Sequence, residues 1–308
     1  MTHVSDDEWS RWLLGTRFGH SSALERLVQR DVQRFRDRVL DAAQLGPCMT
    51  FADIGTGDGL LALGAIDRIG PSLNVILTDI SQPLLNAAEQ NARARSVLSQ
   101  CRFICTSAES LAAIPDASVD AAGMRAVLAY VPDKRAAFRE LFRILKSSGR
   151  ISLAEPIMQD EAFEACALTK LIASQPQTGD IDFLRLLQRW KAAQYPSTEE
   201  QIWKTPTTNF SERDLFRMAR ETGFADIHVE LHLDYRSSSS PNSPAIPADW
   251  ETFLNISPHP HAPPLKQILA EQFTAQERHI FELVLRPSIE SKEWRHSDTI
   301  CYLTAKKP

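Results

Sequence analysis

Basic residues are in short supply. Lys and Arg number 34 against 39 Asp and Glu, a formal net charge of −5, so the chain lacks the basic footprint of a nucleic-acid binder. Long apolar runs are missing as well, and none approaches the ~18 residues that a membrane span requires. The opening Met1-Thr2-His3-Val4-Ser5-Asp6-Asp7-Glu8 is acidic and has no apolar stretch, which is not how a signal peptide reads. Cysteine is scarce: five residues, an odd number, with no C-x-x-C pair. That excludes a disulfide framework and points to a reducing, cytoplasmic setting. Cys101 and Cys105 share one expected strand and read as small buried apolar residues; no partner cluster marks them as ligands, and no metal is expected. Internal repeats are absent. What the chain does have is a 43% hydrophobic share over 308 residues, enough for a substantial core in one large domain or two small ones.

The chain is organised around Met49 to Gly59, read together with Asp79. Thr50-Phe51-Ala52-Asp53-Ile54 has the length of a buried strand; it ends in Gly55-Thr56-Gly57-Asp58-Gly59, and Leu60-Leu61-Ala62-Leu63 resumes with helical spacing. The pattern is strand, glycine turn, helix N-terminus. The glycines let the backbone bend sharply and let a ligand come close. The helix end adds free N–H groups and partial positive charge. A second run, Asn74-Val75-Ile76-Leu77-Thr78, ends in Asp79, and an acid at the tip of the next parallel strand, roughly 20 residues on, suits a ribose diol. The dinucleotide fingerprint G-x-G-x-x-G is not met, because the third glycine comes one residue early and Leu60 stands where it is needed. That weighs against a nicotinamide-dependent dehydrogenase.

From Thr50 the pattern alternates. Strands are expected at 50–54, 74–78, 101–105, 119–123 and 150–154, and helices at 59–68, 82–95 and 134–145. Such alternation implies a doubly wound, mostly parallel sheet with helices on both faces and ligands at the carboxyl ends of its strands. Residues 5–19 carry Trp9, Trp12, Leu13, Leu14 and Phe18 at helical spacing, either as a packing helix or as a lid. Residues 22–43 predict a longer amphipathic helix ended by Gly46-Pro47. Ser211 with Asp214 predicts a capped helix, followed by a strand at 225–233, a loop at 236–244, helices at 248–255, 263–272 and 274–290, and a last strand at 298–304.

Asp53-x-Gly55-x-Gly57-x-Gly59 resembles motif I of the class I S-adenosylmethionine (SAM) methyltransferases, and the likeness extends from about Phe51 to Glu155. Ser118 to Val131 resembles the family's fourth strand and the loop after it. Arg143-Ile144-Leu145-Lys146-Ser147-Ser148-Gly149 resembles its R-V-L-K-P-G-G run, with serines replacing Pro and the first Gly. The small-molecule enzymes of the ubiquinone/menaquinone-biosynthesis type are the most similar branch. The resemblance implies SAM as cofactor and S-adenosylhomocysteine (SAH) as product. It implies a glycine loop against the methionine part of the cofactor and Asp79 on both ribose hydroxyls. In the family an acid followed by alanine holds the adenine after strand three; here Ser107 takes the acid's place before Ala108, and Glu109 is the substitute. The expected cofactor set is therefore Asp53, Gly55, Thr56, Gly57, Gly59, Asp79, Ile80, Ser107, Ala108, Glu109 and Arg125. The implied fold is a seven-stranded, mostly parallel sheet with an antiparallel edge strand, plus helical cap insertions. In segments, residues 1–45 are N-terminal helices, 46–156 the SAM-binding core, 157–210 a cap, 211–235 a core helix and strand, 236–296 a helical insertion, and 297–308 the last strand.

Methyl transfer from a sulfonium needs orientation and a dry pocket, and aromatic faces near it help by cation–π attraction. Trp9, Trp12, Phe18 and Tyr130 are the candidates. Catalytic candidates are Glu155 as a base at the end of strand five, Arg125 holding an acidic group of the substrate, Tyr130, and His259 in Pro258-His259-Pro260-His261, with His261 and His20 behind it. The run Asp/Asn-Pro-Pro-aromatic, which marks enzymes that methylate bases or amide nitrogen, is missing after strand four. Phe163, Leu171, Phe183, Leu184, Leu187, Trp190, Trp250 and Phe253 either line an acceptor pocket or pack the cap. The expected partner is a small-molecule acceptor, without nucleic acid or a membrane span; a homodimer is compatible with this. The alternative is a SAM- or SAH-binding protein of the same fold that does not methylate, such as a cyclase or a binding subunit.

Overall fold

A computed structural model describes residues 6–174, 182–237, 247 and 249–308. Strands β1 (Thr50–Ile54), β2 (Asn74–Asp79), β3 (Cys101–Cys105), β4 (Val119–Arg125), β5 (Leu145–Pro156), β6 (Ala225–Ser237) and β7 (Arg295–Lys306) form one seven-stranded sheet in the order β3-β2-β1-β4-β5-β7-β6. The first five are mutually parallel where they pair, and β7 runs antiparallel to both β5 and β6. The antiparallel strand thus lies one place in from the edge, and β6 is the edge itself. The strand order reverses between β2-β1 and β4-β5, which puts the crevice of this doubly wound sheet above β1 and β4.

Helices α1 (Glu8–Leu14), α2 (Ser22–Ala43), α3 (Leu60–Ile69), α4 (Gln82–Ala94) and α5 (Lys134–Ile144) precede the cap. Helices α6 (Gln159–Ser174), α7 (Phe183–Gln194) and α8 (Glu199–Lys204) follow β5. Next come α9 (Glu212–Thr222) and, between β6 and β7, α10 (Trp250–Asn255), α11 (Leu265–Gln272) and α12 (Ala275–Glu290). One face of the sheet buries Val39, Leu40, Leu61, Leu63, Ile66, Leu85 and Ala88 from α2, α3 and α4. The other buries Phe138, Leu141, Ile144, Leu215 and Met218 from α5 and α9. Buried on both faces, the inner strands read as near-continuous apolar runs.

Local chemistry fixes the helix starts. Ser21, Ser81 and Asp133 cap α2, α4 and α5 through side-chain oxygens, and Ser211–Asp214 and Thr274–Glu277 form capping boxes on α9 and α12. The N-cap of α3 is Gly59, which has no side chain to cap with; Asp53, from the end of β1, takes the Ala62 N–H of that first turn instead.

Two expectations change. Cys105 is exposed and Cys101 only partly buried, because β3 is an edge strand covered on fewer sides than its neighbours. The apolar pattern of residues 5–19 is one short helix ended at Gly15 and a 3₁₀ turn, Thr16–Phe18. The expected 236–244 loop falls from residue 238 onward outside the described residues. The cap has a core of its own, in which Leu186, Trp190, Trp250, Leu265, Ile268 and Phe281 come together from α7, α10, α11 and α12.

Candidate functional site

A cavity of about 760 Å³ opens above the carboxyl ends of β1, β2 and β4 and runs into the space under the cap. That lies in the upper part of the range usual for small-molecule sites. The glycine loop forms its floor. Gly55 and Gly57 have φ of +70° and +59°, conformations that cost glycine little. Leu13 of α1 packs over the loop, and a Cβ on Gly57 would stand 2.9 Å from its Cδ2.

Asp53 lies beneath the loop and fastens it. Its Oδ2 accepts hydrogen bonds from Thr56 Oγ1 at 2.7 Å and Ala62 N at 2.9 Å, joining the turn to the first turn of α3. Burial, with Asp79 and Asp58 nearby, pushes its carboxyl up to about 7. Asp79 accepts Gly57 N–H at 2.8 Å on one oxygen and Ser81 N–H at 2.9 Å on the other. These bonds aim the carboxylate across the cavity and leave lone pairs for further donors. Burial raises its pKa while the two backbone donors oppose the rise. Exposed Ile80 stands beside it. Ser107 and Glu109 close this end: Ser107 Oγ lies 3.2 Å from Glu109 Oε2, and Asp133 N–H donates to Glu109 Oε1 at 2.7 Å. Of the expected cofactor residues, only Gly59 is not on the cavity wall; it lies one turn below, against Leu63 and Ala88.

A roof comes from the N-terminal segment. Trp9, Trp12, Leu13, Arg17 and Phe18 all line the cavity. Trp12 Nε1 donates to Ser257 O at 2.9 Å, and Ser257 N donates to Thr16 O at 3.3 Å. Trp9 meets Tyr130 and His261 edge-on, each with ring centroids 5.2 Å away. The roof is therefore tied both to the loop after β4 and to the cap.

The catalytic candidates separate. Arg125 and Tyr130 are on the wall. Burial, with Glu155 nearby, drives the Tyr130 phenol far up, which keeps its proton on. Glu155 is not on the wall, contrary to expectation. It is fully buried, and its carboxylate accepts Val127 N–H at 2.9 Å and Ala129 N–H at 3.3 Å. Burial pushes it up to about 7. It holds the loop after β4, where Ala126 sits at φ +54°, and it is a strut below the site. His259 is also off the wall. It is buried behind Tyr195, with Nε2 at 2.9 Å from Gln194 O, and burial lowers its pKa. His20 is exposed and does not line the cavity.

Several wall residues carry no sequence signal. Arg17 is enclosed beside Arg125, Asp58 and Tyr130. At the cap end stand Tyr195, Trp294, Glu161 and Lys191, the last bridging Glu161 and Glu164 at 3.0 and 2.8 Å. Of the expected apolar residues, Trp190 and Phe253 reach the cavity, Phe183, Leu187 and Trp250 pack the cap core, and Phe163 and Leu171 are exposed. Two buried donors on the wall, Arg125 Nε and Trp190 Nε1, have no hydrogen-bond partner among the described residues.

Residues 52–153 match a family described as a methyltransferase domain. The tRNA 5-carboxymethoxyuridine methyltransferase of Escherichia coli K12 is 32% identical over 148 residues, 48% of this chain and 52% of that protein. The ubiquinone/menaquinone biosynthesis C-methyltransferase of Xanthomonas oryzae is 29% identical over 203 residues, 63% of this chain and 76% of that protein. The chain thus spans about half the length of the first of these relatives. Among solved structures, the YcgJ protein of Bacillus subtilis superposes with a TM-score of 0.52 at 18% identity, over 89% of this chain and 98% of that one. Geranyl diphosphate methyltransferase in complex with SAM gives 0.51 at 14% identity, over 94% and 91%. At those identities the likeness is one of fold.

Proposed function

We propose, from a sheet domain that belongs to the class I SAM-dependent methyltransferases, that this protein transfers a methyl group from SAM to a small, largely apolar acceptor held under the cap. The observation that carries this is the single cavity running from Asp79 and the glycine loop to Trp190, Tyr195, Phe253 and Trp294. One end offers a carboxylate for the ribose and a glycine-rich loop at a helix N-terminus; the other offers aromatic faces.

The residues fit the cofactor. Asp79 would take the ribose hydroxyls, Ile80 and Ala108 would flank the adenine, and Ser107 and Glu109 would meet its edge. SAM supplies an electrophilic methyl on a sulfonium. The protein's part is to align the acceptor and to exclude water. Trp9, Trp12 and Tyr130 roof the place where β1 and β4 end, and their faces favour a cation there. With Glu155 committed to backbone N–H groups, the acceptor reacts as an intrinsic nucleophile or gives its proton to a wall residue of the cap such as Glu161.

A small acceptor is favoured over tRNA, the substrate named for one relative. The net charge of −5 offers little to a phosphate backbone, and the cap end is lined by aromatic faces. The test is incubation with methyl-labelled SAM, in parallel with a metabolite extract and with bulk tRNA. Label in the small-molecule fraction is expected. Label in tRNA would refute the acceptor class. SAH binding without release from any mixture would favour a non-methylating protein.

A further inference from the structure

The wall contains a pair of like charges that nothing in the sheet domain requires. Arg17, from the 3₁₀ turn after α1, and Arg125, from the end of β4, both line the cavity; burial, and then the charge of Arg125, lowers the pKa of Arg17. Both are enclosed by protein while keeping part of their surface open to the cavity. Guanidinium groups stay charged under such conditions. Among the described residues neither makes an ion pair, and Arg125 Nε is buried without a hydrogen-bond partner.

What surrounds them is mainly aromatic. Arg17 lies over Trp12 at 5.3 Å and Phe18 at 5.7 Å, and Arg125 over Phe35 at 5.5 Å. Asp58 acts on both from a distance, and Glu155 and Asp298 act on Arg125. Glu155 is engaged by Val127 and Ala129. Enclosing two cations side by side is costly unless an anion joins them. Aromatic faces hold the guanidinium planes in place without consuming their N–H donors, which then stay free for a bidentate partner.

We infer that Arg17 and Arg125 form a carboxylate clamp inside the methyl-transfer site, one guanidinium brought by the roof and the other by the sheet. This rests on the methyl-transfer reading and makes it more specific. Two sources of the carboxylate share this chemistry: the aminoacyl tail of the cofactor, and an acid group on the acceptor. Arg17 stands beside Asp58 of the glycine loop, and Arg125 beside Tyr130 and Asp298 toward the cap, so the pair spans the boundary between the two ends. Either source also explains why the roof segment is built into the site: it completes the clamp.

Calorimetry distinguishes the sources. SAH and 5′-methylthioadenosine, which lacks the aminoacyl tail, are titrated into wild-type protein, Arg17→Met and Arg125→Met. Benzoate is titrated into each protein with and without SAH. If the clamp holds the cofactor tail, both variants lose on the order of 10- to 100-fold in SAH affinity while methylthioadenosine binds as before. If it holds the acceptor, SAH affinity is unchanged and benzoate binding to SAH-loaded protein disappears. Arg17→Lys and Arg125→Lys keep the charge without the fork and should recover part of the loss, which a merely unfolded variant would not. Variants that match wild type in every titration would overturn the clamp. Failure of wild-type protein to bind SAH and methylthioadenosine would instead remove the methyl-transfer reading, and the benzoate titrations without SAH would still judge the clamp.

Discussion

Asp79 and Glu155 are both acids at strand ends, yet they face opposite ways. Asp79 closes β2 with its carboxylate toward the cavity, and its partners are Gly57 and Ser81 N–H. Replacing it by Ala should weaken SAH binding by roughly 30- to 150-fold, the loss of a charge-assisted bidentate contact. Calorimetry on the folded variant checks this, and unchanged affinity would remove Asp79 from the site. Glu155 makes a different prediction. Its carboxyl is moved from 4.5 up to about 7 in the fold by burial. Between those values the folded protein keeps a proton that the unfolded chain has released, so folding stability falls as pH rises through that window and is level above it. Glu155→Gln does not titrate there. The stability of wild type minus that of the variant should therefore decline by up to about 3 kcal/mol from pH 4.5 to 7. Denaturant melts across that range measure it. Asp53, also pushed up to about 7, is common to both proteins and cancels. A flat difference would mean that Glu155 is ionised in the fold throughout.

At the scale of elements, α1 and the glycine loop act as one unit, because Leu13 packs on Gly57 and Trp12 reaches Ser257 across the site. Gly57→Val would strain a backbone at φ +59° and drive Leu13 away, so SAH binding should be abolished in a domain that still folds. A chain beginning at about residue 21 loses Trp9, Trp12, Leu13 and Arg17 together. It should keep the sheet and lose most SAH affinity or turnover; equal activity would reduce α1 to a packing helix. The elements themselves were largely legible, since buried parallel strands and two-faced helices leave distinct periods in the sequence. The apolar spacing predicts a helix over 22–43, which α2 fills as Ser22–Ala43, and Ser211 with Asp214 predicts the capping box that α9 carries. Asp79 and the loop were legible because they are contiguous motifs. Glu155, Arg17 and His259 were not. An acid at a strand end looks the same whether it faces a ligand or accepts backbone N–H groups beneath it, and a lone arginine in a short turn carries no periodicity.

The molecule as a whole joins two cores across one cavity: the sheet with its flanking helices, and the α7 and α10–α12 cap. On the proposed reading β1, β2 and β4 build the cofactor end and the cap builds the acceptor end, so substitutions in the two should have separable effects. Trp190 tests this. It is buried in the cap core against Phe253, Phe281 and Trp294, and it also lines the cavity, its indole N–H without a hydrogen-bond partner among the described residues. Trp190→Ala should lower stability by about 3–5 kcal/mol, as truncation of a buried tryptophan does, while SAH affinity stays within about twofold of wild type. Trp190→Phe keeps most of the packing and removes only the N–H. It should leave both stability and SAH affinity close to wild type and act on the acceptor, raising its KM as a lost hydrogen bond would, by roughly 10-fold. Melts and SAH calorimetry read the first variant, and acceptor kinetics the second. A parallel loss of SAH affinity in Trp190→Ala would show that the cap shapes the cofactor end too, and the division of the cavity between the two cores would have to be given up.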